Sequence, residues 1–331
     1  MSSLITPELL RRLEQFQLLA ARRAKSSAKG ERRSRARGQS VEFADHRSYV
    51  PGDDFRYLDW NLFGRLDKLF LKLYEEEREL PVRIFLDASE SMTFGEVLAQ
   101  GHPSKFDFAR QVAAAIGYVA LCGFDRVSVV PFPNAEFGLR SAESQRAASS
   151  VNTPRSALRP PPTSEELAAR GALRSVRGKK SSMQFFQNLS ALTAAGGVDL
   201  NEALRRGALE ARQSGLAIVL SDFLDPAGYE AGLTALVGRG FQVNVVQILA
   251  PEELAPTTFG DLRLVDSESG GLQEVTFGRY RMKAYQQTVQ NFIQRLREFT
   301  TKRGINFFMA PSNMDLQDLL LKQLRKSEVW G

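Results

Sequence analysis

From Pro81 onward the chain alternates short apolar runs with longer helical stretches, and no other feature limits its fold as sharply. The runs Val82–Leu86, Val127–Phe132, Leu216–Leu220, Phe241–Leu249 and Ile305–Met309 are short and rich in Val, Ile, Leu and Phe. Between them apolar residues recur at helical spacing, as in "KFDFARQVAAAIGYVALCG" and "YRMKAYQQTVQNFIQRLREFTTKRG". Strands without regular polar alternation need cover on both faces. The pattern therefore predicts an α/β domain built on a doubly wound, mostly parallel sheet.

The expected organisation is a basic helical arm and linker over 1–38, a smaller β-containing module over 39–80, the sheet domain over 81–321 with a surface insertion at 142–180, and a tail at 322–331. In the arm, Thr6 is placed to cap a helix, Pro7 suits its first turn, and Leu9, Leu10, Leu13, Phe16, Leu19 and Ala20 fall at helical spacing. In the small module, "PGDD" marks a turn and "KLFLKLYEEE" alternates like a strand. Its Asp53, Asp54 and Arg56 are partner-binding candidates, and the plainer reading pairs them with one another above a packed Trp60. Charge is uneven. Of 44 Lys/Arg and 38 Asp/Glu, residues 1–40 hold ten and three, leaving 34 against 35 in the rest. The arm thus carries the whole excess, which admits nucleic acid or an anionic surface as a partner, although no aromatics are interleaved for base stacking.

Several chemistries lack material. The two histidines, His46 and His102, stand far apart in sequence and the one cysteine, Cys122, lies in a helical stretch, so a Cys/His metal site or a disulfide is not expected. Gly-x-Ser-x-Gly is absent, and "GALRSVRGKK" has neither the glycine spacing nor the hydroxyl of a phosphate loop. An aspartyl-phosphate reading would need a second Asp where Ser89 stands. No apolar run reaches the roughly 18 residues of a membrane span, and the N-terminus is too charged for a secretory signal, so a cytoplasmic, non-enzymatic protein is expected.

What remains is the stretch "VRIFLDASESM". It puts Asp87 at the carboxyl end of the first strand, with Ser89 and Ser91 following at alternate positions, while Asp222 holds the same place after a later strand in "LAIVLSDFLD". Ligands of open parallel sheets sit beyond the carboxyl ends of strands, where strand order reverses. An all-oxygen set of this kind suits Mg²⁺, and the alternative is a set of polar strand ends that cap the following helices. Glu90 and Asp199 join Asp53, Asp54 and Arg56 as candidates for contact with a partner.

"DASES" resembles the Asp-x-Ser-x-Ser signature of von Willebrand factor A-type domains, whose metal-ion-dependent adhesion site binds Mg²⁺, and "SDF" at 221–223 is similar to the later aspartate loop of that site. "RSYVPGDDFRYLDWNLFGRLDKLFLKLYEEERE" and "GDLRLVDSESG" extend the resemblance, from about 38 to 321, to the family filed as domain of unknown function 58. The resemblance implies a von Willebrand factor A-like, Rossmann-like fold and a bacterial protein working beside AAA+ ATPases of the MoxR type. It also implies a Mg²⁺ site formed by Asp87, Ser89, Ser91 and Asp222. The sequence departs from the pattern in "AAGGVD", where Val198 stands in place of a metal-binding threonine and brings no side-chain oxygen; Asp199 is its nearest polar neighbour.

Overall fold

A computed structural model describes residues 4–15, 41–76, 80–95, 102–133, 175–197, 199–256, 260–265 and 272–320. The chain divides into two compact units, residues 23–79 and the remainder. In chain order the elements are α1 (Pro7–Leu13), β1 (Val41–Ser48), α2 (Trp60–Leu66), β2 (Phe70–Glu76), β3 (Pro81–Asp87), α3 (Lys105–Cys122), β4 (Arg126–Phe132), β5 (Val176–Arg177), α4 (Ser182–Ser190), α5 (Leu200–Glu210), β6 (Leu216–Ser221), α6 (Glu230–Gly238), β7 (Gln242–Leu249), α7 (Pro251–Leu254), β8 (Gly260–Val265), β9 (Leu272–Phe277), α8 (Arg279–Thr301), β10 (Asn306–Pro311) and α9 (Leu316–Asp318).

In the larger unit six strands form one sheet in the order β10-β7-β6-β3-β4-β5. All neighbours run parallel except β5, which is antiparallel to β4. The mostly parallel α/β sheet expected from the sequence is present. From β3 the chain moves to β4 on one side and then returns to β6, β7 and β10 on the other, so strand order reverses between β3 and β6. Cover comes from both faces. Val82, Ile84, Leu86, Ile218 and Leu220 pack on one side with α1, α3 and α4, while Phe85, Ala217, Val219 and Val245 pack on the other with α5 and α6. A separate antiparallel pair, β8 with β9, follows α7.

Helix α3 shows why the packing is close. Ser104 caps it by accepting the Asp107 N–H at 3.1 Å, and a run of buried small residues, Ala113, Ala114, Ala115 and Gly117, faces its neighbours. A Cβ on Gly117 would lie 2.3 Å from Cζ of Phe185, a fully buried ring of α4. Alanine at a helical glycine gains up to about 1 kcal/mol in propensity, yet overpacking a buried contact costs about 1–3 kcal/mol, so the clash decides the sign. Gly117→Ala is expected to lower the melting temperature by several degrees in a circular dichroism melt, and an unchanged or raised value would mean that Phe185 yields freely.

Three expectations are corrected. Helix α1 begins as expected, with the Thr6 hydroxyl accepting the Leu9 N–H, but it is not a detached arm. Ile5, Leu9 and Leu13 are buried in the core that contains α3, and the Glu14 carboxylate accepts hydrogen bonds from Tyr118 Oη at 2.6 Å and Lys179 Nζ at 2.8 Å. The apolar stripe was legible in the sequence, and the helix it would pack against was not. The insertion expected over 142–180 ends early, because Val176–Arg177 joins the sheet edge as β5; residues 134–174 lie outside the described residues. In the smaller unit β2 pairs antiparallel with β1, and helix α2 was not foreseen. Trp60 is not packed beneath charges; it is 63% exposed on α2, which buries none of its residues.

Candidate functional site

The rim above β3 and β6 is built from the loops that leave these two strands. The loop after β3 lies along the one before α5, with the Ala195 N–H donating to Ala88 O at 2.8 Å and the Glu90 N–H donating to Gly196 O at 2.9 Å. After β6, the Ser221 hydroxyl oxygen accepts the Phe223 N–H at 2.9 Å, and Phe223 takes a left-handed φ of 62° in a sharp turn at Asp222.

The sequence-predicted carboxylates and hydroxyls meet there. Asp87 is 1% exposed, accepts the Ser89 N–H at 3.0 Å on Oδ1 and the Ser221 hydroxyl at 2.5 Å on Oδ2. The Ser89 and Ser91 hydroxyls share a hydrogen bond at 3.0 Å, and Ser91 donates to Asp222 Oδ2 at 3.2 Å. Asp222 Oδ1 accepts the Leu224 N–H at 3.0 Å. Burial, with the Asp222 charge second, pushes the Asp87 carboxyl up to about 7.

One residue that the sequence reading missed occupies the centre. Lys105, the first residue of α3, is 1% exposed and its ammonium donates to Asp222 Oδ2 at 2.7 Å and to Glu253 Oε1 at 2.7 Å. Desolvation alone would lower the lysine's pKa, but the Asp222 and Glu253 charges outweigh it and hold it above the ordinary value. A signal was present: a cation at the first position of a helix opposes the helix dipole, so Lys105 after the cap residue Ser104 needs a carboxylate partner. Which carboxylate was unreadable, since the partners lie 117 and 148 residues away. Beside this pair His102 Nε2 meets Glu252 Oε1 at 2.8 Å, so both acidic residues of α7 face basic groups at the start of α3. Glu252 raises the His102 pKa.

The other candidates take plainer places. Asp199 is the exposed N-cap of α5, accepting the Glu202 N–H at 2.9 Å on Oδ1. Glu90 is exposed at the rim. Asp53 accepts the Val50 N–H at 2.9 Å and a bond from Arg47 at 2.8 Å, while Asp54 accepts the Arg56 N–H at 3.1 Å; these three candidates stabilise a turn of the smaller unit. Val198, the basic residues Arg22–Arg37 and the Asp-x-Glu part of "GDLRLVDSESG" lie outside the described residues.

The donor chemistry does not fit a Mg²⁺ centre as it stands. The carboxylate oxygen of Asp222 that faces Ser91 already holds an ammonium, both Asp87 oxygens accept hydrogen bonds, and valine at 198 has no side-chain oxygen. Among the described residues no three His, Cys, Asp or Glu side chains group to hold a metal. Also among the described residues, no helix is long and apolar enough to cross a membrane.

Residues 45–294 match the family described as protein of unknown function DUF58. Uncharacterized proteins of Mycobacterium tuberculosis and Mycobacterium bovis are each 27% identical over 268 residues, covering 81% of this chain and 74% of theirs. Among solved structures, a conserved hypothetical protein BatB from Bacteroides thetaiotaomicron is similar at 14% identity with a TM-score of 0.39, covering 75% of this chain and 98% of that one.

Proposed function

This chain belongs to the DUF58 family, and on that premise we propose that its larger unit is a von Willebrand factor A-like domain that docks an acidic side chain of a protein partner at the rim above β3 and β6. The first partner to try is an AAA+ ATPase of the MoxR type, which the chain serves as an adaptor. The observation that carries this reading is the meeting of Ser91 Oγ and Lys105 Nζ on one Asp222 oxygen, at the point where strand order reverses.

Binding suits this rim better than turnover does. A serine nucleophile needs an adjacent base. Ser89 and Ser91 bond to each other and Ser91 donates to Asp222, whose oxygen is held by the Lys105 ammonium, while His46 faces Asp59 and His102 faces Glu252. Hydroxyls and an ammonium are donors, which is what an incoming carboxylate requires.

The test is co-purification with a tagged MoxR-type ATPase, using wild type and Ser91→Ala, each in Mg²⁺ and in EDTA. Loss of one hydrogen bond to a charged group weakens binding by about 1.5–3 kcal/mol, so capture by Ser91→Ala is expected to fall roughly tenfold or more. Equal capture by the two proteins overturns the reading.

A further inference from the structure

The Lys105 ammonium is held between two carboxylates that differ in position. The Asp222 side chain is 2% exposed and directly follows strand β6, whereas the Glu253 side chain is 18% exposed and comes from α7, a single turn of four residues. We infer that Glu253 stands in the place of the partner's carboxylate, so that the docking site is closed by the chain's own α7 and an acidic protein segment enters by exchanging with Glu253 on Lys105. This rests on the docking reading above and adds to it the identity of the group that the partner displaces.

Charge makes the exchange feasible without a metal. One carboxylate leaves the ammonium and another arrives, so no net charge is buried, whereas adding an acidic group beside Asp87, Asp222 and Glu253 together would bury a further negative charge. The tie that must break is also small. Among the described residues, apart from Lys105, the Glu253 side chain accepts only the Ala250 N–H, at 2.8 Å, within its own turn. The turn itself stays anchored through Tyr285 Oη, which donates to Glu253 O at 2.9 Å, and through His102 on Glu252. The closed arrangement is also incompletely satisfied. Among the described residues Glu252 Oε2 and Gln247 Oε1 are buried acceptors without a hydrogen-bond partner, and Gln247 lies next to the site, donating from Nε2 to Asp222 O at 3.3 Å.

The experiment measures anisotropy of fluorescein-labelled hexaglutamate with full-length wild type and Glu253→Gln, in EDTA and in Mg²⁺, with hexaglutamine as the control peptide. If the closed form dominates, removing the internal competitor raises apparent affinity by the inverse of the open fraction. Glu253→Gln is therefore expected to bind hexaglutamate about tenfold tighter or better in EDTA, and to capture the ATPase more strongly. Binding by Glu253→Gln that is equal to or weaker than wild type, or no binding by either protein, overturns the inference. The docking reading is judged separately, by whether Ser91→Ala lowers ATPase capture. Should Glu253→Gln melt out before the assay, Glu253→Asp keeps the charge on a shorter arm; it is expected to bind tighter than wild type, and no gain overturns the inference.

Discussion

Lys105→Met is expected to lower the melting temperature of the larger unit by roughly 10 °C, through the loss of about 3–5 kcal/mol that accompanies removal of one partner from a buried ion pair. The variant keeps the length and most of the volume of the side chain, so the cost comes from charge. Asp222 and Glu253 would be left as buried carboxylates that no longer share an ammonium 2.7 Å away. Among the described residues the Asp222 oxygen would retain only the Ser91 hydroxyl as a side-chain donor. Thermal melts by circular dichroism check the value, and a fall of less than about 3 °C would mean that Lys105 contributes little net stability. The triple variant Lys105→Met, Asp222→Asn, Glu253→Gln should recover most of the loss, because replacing every charge of a buried set by neutral groups of similar volume is often close to neutral.

Asp87→Asn is expected to act in the opposite direction, and only as pH rises. The Asp87 carboxyl titrates near 7 in the folded chain, chiefly through burial and then through the Asp222 charge, against 3.8 for an ordinary aspartate. A carboxyl raised in the folded state favours folding while protonated. Its contribution is full below about pH 4 and is lost progressively as pH climbs through 7. Asparagine has no such loss, and it can still accept the Ser89 N–H and donate toward the Ser221 oxygen, which now meet Asp87 at 3.0 and 2.5 Å. Between pH 5 and pH 8 the stability of Asp87→Asn relative to wild type should therefore rise by about 2–3 kcal/mol, or roughly 5 °C or more in melting temperature, measured in EDTA. A difference that stays constant across this range would place the Asp87 pKa in the ordinary range for an aspartate.

The packing of α1 also changes how the basic segment should be tested. Removing residues 1–38 would strip Ile5, Leu9 and Leu13 from the core. Replacing Arg22, Arg23, Arg32, Arg33, Arg35 and Arg37 by Gln in the full chain changes the charge without that damage. If the segment binds nucleic acid, these changes should flatten the salt dependence of binding, and an unchanged slope argues against that role.

Much of the architecture was legible because the signals are local. Continuous Val, Ile and Leu in "LAIVL" requires cover on both faces, and β6 is buried along its whole length. Asp87, Ser89, Ser91 and Asp222 could be placed together because each follows the carboxyl end of a strand of one sheet, and strand ends are readable from hydrophobic runs. The same local logic misplaced Trp60, whose size suggested burial.

The sequence by itself thus determined the layered α/β form and the rim at which its polar strand ends collect. Only the tertiary structure decided what neutralises that rim. The pairings of Lys105 with Asp222 and Glu253, and of Glu14 with Tyr118 and Lys179, join residues more than 100 positions apart. Such partners are chosen by burial and by the need to pair a desolvated charge, and neither periodicity nor spacing records that choice.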